Sequence, residues 1–285
     1  MMENQQPFRR FHWQDADYAT AFNTLLRASG ERPHVHAFLR KLIDQYPTTG
    51  LALDWGAGDG DLTQLLASHF DNILAIEPNS SLRAGLIAAC PKAVILDGTL
   101  STAMPPGNVD VGIISHVFYH IPDHKWSAYV LRAARCLSEH GTLVVMLKDA
   151  NSACNRMLEH FGATRFDLVA TLLPIMQRHT EYNYRLERLP GSFSTSNLQD
   201  TLDIARLMLC DRDADAFCRP LLEETFVDYV KTHFWNENTQ SGGWHYDVMM
   251  FTMSRGKTNH AQQAATIHPT PDIHQQTNLT TGETP

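Results

Sequence analysis

Residues Leu51 to Asp61 read LALDWGAGDGD. The apolar run Leu51-Ala52-Leu53 has the make-up of a buried strand, and Asp54 stands at its carboxyl end. Gly56, Gly58 and Gly60 follow at alternate positions before Leu62, Leu65 and Leu66 take up helical spacing. The pattern predicts a strand, a glycine turn and a helix. Glycine lets the backbone turn sharply and approach a bound molecule, and the open N–H groups at a helix start favour polar or anionic ligand groups. The dinucleotide fingerprint G-x-G-x-x-G is not met, because Asp61 stands where its third glycine would pack helix against strand.

Three more strands work outward from this turn. Ile73 to Ile76 ends in Glu77, roughly 20 residues beyond the glycines, the distance at which a βαβ unit returns a carboxylate to ribose hydroxyls. Ala93 to Leu96 ends in Asp97-Gly98, and Val109 to Ile114 ends in Ser115-His116. A helix over Lys125 to Leu137, with Trp126, Tyr129, Val130 and Ala133 on one face, leads through Gly141 into a fifth strand, Thr142 to Leu147. Strands alternating with helices predict an α/β fold with a parallel, doubly wound sheet, whose ligand edge is the carboxyl end of the strands.

Over Leu51 to Leu147 these residues resemble the class I, Rossmann-type S-adenosylmethionine-dependent methyltransferases. The resemblance implies a mostly parallel seven-stranded sheet and S-adenosyl-L-methionine as cofactor, with another nucleotide-type ligand as the alternative. The implied cofactor contacts are Asp54, Gly56, Gly58, Gly60, Glu77 on the ribose, Asp97 on the adenine amino group, Gly98 and Ser115. Asp54 either meets the cofactor or only caps the turn, and Trp55 packs either on the cofactor or into the sheet.

Residues 1–50 are expected to form a helical cap that selects the substrate: Tyr18, Phe22, Leu25 and Leu26 recur at helical spacing up to Ser29-Gly30, and Pro33 to Tyr46 is a second amphipathic helix. The methyltransferase domain is then 51–255. Within it residues 152–178 read as helical with an interruption at Pro174, Tyr182 to Leu189 as a strand, 196–210 and 212–233 as helical, and Tyr246 to Met253 as a last strand. A strand hairpin closing the sheet, with a helical insertion near the C-terminus, accommodates these. Residues 256–285 are rich in Thr, Gln, Asn, Pro and His and are expected to be a disordered tail.

A net charge of −8 and a pI near 6.0 leave no large basic footprint for a phosphate backbone, so nucleic acid is not expected as substrate. The five cysteines form no C-x-x-C pair. No run approaches about 18 apolar residues and the start lacks a signal-peptide core, so no membrane association and a cytoplasmic location are expected. His116, His120 and His124 recur every four residues, but Pro122 interrupts the helix that would align them, and no metal is expected.

The segment after the fourth strand also departs from nucleic-acid methyltransferases. It lacks their Asn- or Asp-Pro-Pro-aromatic tetrapeptide, and Cys90-Pro91 has the reverse order of their Pro-Cys pair. The stretch Tyr18-x-x-x-Phe22, with Leu25, Leu26, Ser29 and Glu31, is instead similar to the N-terminal helix of histamine N-methyltransferases, and the likeness runs on through Glu77-Pro78, Phe118-Tyr119 and the Asp247-to-Met253 strand. It implies that Glu31 binds a substrate amine. His116 replaces that family's Gln and Tyr246 falls near its pocket Asn, which puts histamine itself in question. Tyr18, Phe22, Glu31, His116 and Tyr246 are the candidate substrate contacts, with Tyr119 and Trp244 as further aromatic faces, and His116, Tyr119 and Glu31 the candidate catalytic groups. The expected function is N-methylation of a small amine or heterocycle. The alternatives are O-methylation, intramolecular displacement releasing 5′-methylthioadenosine, or a cofactor-binding regulatory module.

Overall fold

The glycine-turn strand is β1, Leu51–Trp55, and its apolar side chains are covered on both faces, as a central parallel strand requires. Parallel to it on one side run β2, Asn72–Ile76, and β3, Val94–Leu96; on the other run β4, Val109–Ser115, and β5, Leu137–Lys148. β6, Tyr182–Thr195, and β8, Ser241–Arg255, form an antiparallel pair, with β8 against β5. The order is β3-β2-β1-β4-β5-β8-β6, and the two-residue β7, Trp235–Asn236, pairs with β8. Seven strands thus make the sheet proper. The computed structural model describes residues 6–12, 15–103, 105–210, 212, 214–218 and 220–255; the expected tail, 256–285, lies outside them.

The chain leaves β1 toward β2 and β3, then returns to β4 on the other side. The loops after β1 and β4 therefore diverge and open a crevice at the carboxyl edge, the ligand position of open α/β sheets. Helices α3, Asp61–Ala67, α4, Ser80–Ala89, and α5, Asp123–Arg135, belong to the parallel crossovers. The cap is α1, Ala16–Ala28, and α2, Arg32–Ile43. It is tied to the sheet by a backbone bridge from Ser29 to Phe193 and by the Gly30 N–H donating to the Ser192 carbonyl at 2.8 Å. Between β6 and β8 lie α8, Leu198–Cys210, which packs on α1, and α9, Glu223–His233.

Several expected boundaries move. Residues 152–178 are two helices, α6, Ala153–His160, and α7, Leu168–Arg178, and the break falls before Pro174, which lies inside α7. Gly162 leaves the helix in the left-handed region, Asn155 clips the loop by bonding both the N–H and the carbonyl of Phe166, and Asp167 caps α7. Among the described residues of 212–233 only α9 is α-helical, after a short 3-10 turn at Ala214–Ala216; Pro220 cannot continue a helix through that point. β5 begins at Leu137, before a bulge in its pairing with β4. β6 runs on to Thr195 through Pro190, which an outermost strand tolerates because one row of its N–H groups needs no partner.

Trp126 of α5 is fully buried, donates its indole N–H to the Ile121 carbonyl at 2.7 Å and packs on Phe118 and Phe166 beneath the loop that follows β4. Trp126→Ala should cost about 3–5 kcal/mol through the cavity it leaves. Denaturant unfolding measures this, and a loss below about 1 kcal/mol would show that the loop does not rest on this ring.

Candidate functional site

Backbone bonding shapes the glycine turn first. The N–H groups of Gly56 and Ala57 both donate to the Ile76 carbonyl, which folds the turn toward the end of β2. There Glu77, 5% exposed, accepts from the Gly58 N–H at 2.8 Å and the Asn79 N–H at 2.7 Å. Burial pushes its carboxyl up, as does nearby Asp97, while those two bonds and Arg83 oppose the shift. Gly58 has φ of +57°, and a Cβ there would stand 3.3 Å from the Phe22 ring of the cap. Behind the turn, buried Asp54 accepts from the Thr63 hydroxyl at 2.7 Å. Burial pushes its carboxyl up to about 7 against that hydrogen bond, with Glu77, Asp59 and Asp61 adding to the rise.

Two adjoining cavities open here and share Tyr18, Phe22, Gly56, Gly58, Ser115 and His116. The one toward β2 and β3 is lined by Glu77, Pro78, Leu82, Gly98, Leu100 and Ile121. The one toward the cap and β5 is lined by Glu31, Asp54, Tyr119, Lys148 and Phe193. Two expected cofactor residues line neither. Asp97 is exposed and binds the Arg83 guanidinium through both oxygens, at 3.0 and 3.2 Å. Gly60 packs against Leu86 and Cys90 of the α4 segment. Trp55 is buried beside Gly112 of β4, so it packs into the sheet.

On the cap side Glu31, its side chain 16% exposed, receives the His116 Nε2–H at 3.0 Å on one oxygen and the Tyr246 hydroxyl at 2.7 Å on the other. Burial alone would raise its carboxyl, yet the charge and hydrogen bond of His116, the field of Lys148 and the Tyr246 bond hold it at about 2. His116 Nδ1 lies 3.4 Å from the Tyr119 hydroxyl, which accepts the Lys148 backbone N–H at 2.9 Å and so keeps its own proton to offer. Tyr246 sits behind Glu31 and does not line the cavity. Trp244 is buried, stacked on Phe234 with its N–H on Cys154, also away from the cavity. His120 meets Tyr18, not His116.

Lys148, the last residue of β5, was not anticipated. It is 6% exposed, and its ammonium lies 5.0 Å from the ring centre of Tyr119 and 5.6 Å from those of Phe193 and Tyr246. The sequence carried a signal: a lysine closing the apolar run Leu143–Leu147 stands at the same edge as Asp54, Glu77 and Ser115. Arg32 also enters the cavity, held by Asp59 at 2.7 Å and Asp61 at 3.7 Å.

The family described as Methyltransferase domain matches residues 30–184, just over half of the chain. The chain belongs to that methyltransferase family. An uncharacterized methyltransferase from Bacillus licheniformis is 31% identical over 94 residues, 32% of this chain and 44% of that protein. One from Exiguobacterium sibiricum is 25% identical over 128 residues, 44% of this chain and 60% of that protein. The chain thus spans about half the length of these curated relatives. Among solved structures, a putative methyltransferase from Bacillus halodurans superposes with a TM-score of 0.56 at 10% identity, covering 78% of this chain and 99% of that one. The N-methyltransferase NodS from Bradyrhizobium japonicum, in complex with S-adenosyl-L-homocysteine, superposes at 0.51 and 12% identity, covering 85% and 100%. The fold is that of the class I, S-adenosylmethionine-dependent methyltransferases.

Glu31 and Asp54 are shifted in opposite directions, which predicts opposite pH slopes. Glu31, lowered from 4.5 to about 2, contributes stability that is present above 4.5 and lost as pH falls toward 2. Asp54, raised from 3.8 to about 7, contributes stability that is present below 3.8 and lost as pH rises through 7. Glu31→Gln should flatten the acid limb by at most about 3 kcal/mol. Asp54→Asn should flatten the decline toward neutrality. Denaturant melts across the pH range check both, and unchanged slopes would contradict the assignment.

Proposed function

We propose that the protein uses S-adenosylmethionine to methylate a nitrogen of a small amine or heterocycle. The observation that carries this reading is the Glu31 carboxylate, clamped by His116 and Tyr246, lining the same cavity as Asp54 and the glycine turn.

The residues present fit that cofactor. Glu77 uses one acceptor position per oxygen on backbone N–H groups and keeps the others for ribose hydroxyls. Asp54 and the glycine turn offer a carboxylate and backbone amides to the amino-acid portion, and Pro78, Leu82, Leu100 and Ile121 offer apolar walls to adenine, beside Gly98 and Ser115. Asp97 and Gly60 are left out of this set because Arg83 and the α4 segment engage them. When bound, the cofactor supplies an electrophilic methyl group on its sulfonium.

What remains for the chain is to orient the acceptor and relieve it of a proton. Glu31 has spent two of a carboxylate's roughly four acceptor positions and accepts an acceptor's N–H on the rest. His116 lines both cavities, and its Nε2–H is committed to Glu31. While neutral it therefore takes the proton that an ammonium must lose before its nitrogen can attack only at Nδ1, relayed through the Tyr119 hydroxyl that faces it, which accepts the ammonium's proton as it passes its own to the ring. Tyr18 and Phe22, stacked 6.1 Å apart, offer ring faces to a cation or a heterocycle. The likeness of the Tyr18–Glu31 stretch to histamine N-methyltransferases supports an amine.

Incubation with S-adenosylmethionine and a panel of amines and heterocycles should yield S-adenosylhomocysteine and an N-methylated product by mass spectrometry. An O-methylated product, 5′-methylthioadenosine, or tight cofactor binding with no turnover would each replace this reading. Glu31→Gln should lower acceptor kcat/KM by at least about tenfold, roughly 1.4 kcal/mol, with cofactor affinity nearly unchanged. Glu77→Ala should do the converse, weakening cofactor binding by about 1.5–3 kcal/mol in calorimetry. If either variant shows the other's signature, the division between the two cavities is wrong.

A further inference from the structure

The Lys148 ammonium has a cost that its surroundings do not meet. More than nine-tenths of the residue is buried, and the ammonium makes no hydrogen bond or ion pair with any described residue. It is not sealed in either, since among the described residues no fully buried side-chain nitrogen or oxygen lacks a partner and Lys148 lines the cap-side cavity. Tyr119, Phe193 and Tyr246 present ring faces to it, which offset part of the desolvation of a cation but give its N–H groups no acceptor. The neighbouring acid, Asp149, is turned to Arg188 at 3.3 Å. Glu31 acts on it only through space: the field of Lys148 lowers the Glu31 carboxyl, while the hydrogen bonds of that carboxylate go to His116 and Tyr246.

We infer that Lys148 binds a carboxylate of the acceptor, so that the molecule methylated is an amino acid or a carboxylate-bearing N-heterocycle. The inference rests on the proposed reading of this cavity as the acceptor site. One ammonium beside one carboxylate suits a zwitterion: the nitrogen end lies toward Glu31 and His116, the anionic end toward Lys148. A dianionic phosphate is a poorer match, because among the described lining residues the one guanidinium, Arg32, is already engaged by Asp59 and Asp61, and His116 is engaged by Glu31. The charge also serves specificity, since a buried group built to pair with a carboxylate is left unpaired by an analogue that lacks one.

The test compares acceptors that differ only in the carboxylate: histidine, histidinamide and histamine; tryptophan, tryptophanamide and tryptamine; tyrosine, tyrosinamide and tyramine. S-adenosylhomocysteine release gives kcat/KM, and calorimetry in the presence of S-adenosylhomocysteine gives acceptor affinity. With the wild-type protein the amino acid of at least one set should exceed its amide and amine by about tenfold or more. Lys148→Met should erase that preference and Lys148→Arg should keep part of it, with melting temperature and cofactor affinity confirming that both variants are folded. The inference is overturned if no set shows the preference or if it survives in Lys148→Met. It is also overturned if Lys148→Met depresses amine and amino acid equally, the result expected of a lysine that only balances the charge of Glu31. Turnover of amines without a carboxylate preference would sink the role of Lys148 alone; failure of every compound to bind or react would sink the reading of the cavity, and Lys148 with it.

Discussion

The carboxylate of Glu31 accepts from His116, just beyond β4, and from Tyr246, within β8, so one side chain of the cap joins two parts of the sheet that are far apart in sequence. The rest of the site depends on that junction. His116 adopts φ of +56°, an uncommon conformation for a residue with a Cβ, at a cost of about 1–3 kcal/mol. A hydrogen bond to a charged group contributes about 1.5–3 kcal/mol, enough to hold such a residue in place, and the His116 N–H bond to the Met146 carbonyl adds to it. Backbone strain at the end of β4 and the charge on Glu31 are therefore two aspects of one arrangement.

The same junction gives the cap a double role. Ser29 and Gly30 pin the end of α1 to β6, which places Glu31 over the sheet edge, while Phe22, two turns earlier on α1, comes to lie over Gly58. The helix that leads to Glu31 also supplies a wall to the glycine turn. Because both cavities share Tyr18 and Phe22, movement of α1 would alter both at once, so on the proposed reading acceptor binding and cofactor enclosure would be coupled by packing.

The parallel half of the sheet was legible because buried strands, glycine turns and crossover helices each leave a local pattern: LALDW, the alternating glycines and Glu77 all fall within one βαβ unit. What was not legible depends on contacts across the chain. The extension of β6 past Pro190 is possible only because β6 is the outermost strand, which no local pattern reveals. The break at Gly162 rests on Asn155 clasping Phe166, and Asp97 is turned outward by Arg83, fourteen residues before it. Glu31 stood out in the sequence, but its clamp did not, since His116 and Tyr246 meet it only in the folded chain. Lys148 closes β5 at the edge where the first four strands also end in polar residues, but the apolar run that marks the strand in the sequence ends one residue before it, at Leu147.

Opposite charges in a half-dry pocket attract strongly: at 4 Å and an effective dielectric near 20 the Coulomb term is about 4 kcal/mol. Had Glu31 and Lys148 met directly, they would form a neutral pair with little to offer a ligand. Tyr246 bears on both. Its hydroxyl occupies one oxygen of Glu31 and its ring face lies against the Lys148 ammonium. Burial, with the adjacent Glu31 charge, pushes the phenol's proton affinity far up, so Tyr246 remains a donor across the whole working range of pH. Together with His116 it engages both oxygens of the carboxylate, and the two charges stay within each other's field without an ion pair. The result is a dipole across the cavity, negative toward the cap and positive toward β5. Such a field is suited to binding a molecule whose own ends differ in charge, and orienting that molecule is the larger part of what methyl transfer from a sulfonium asks of a protein.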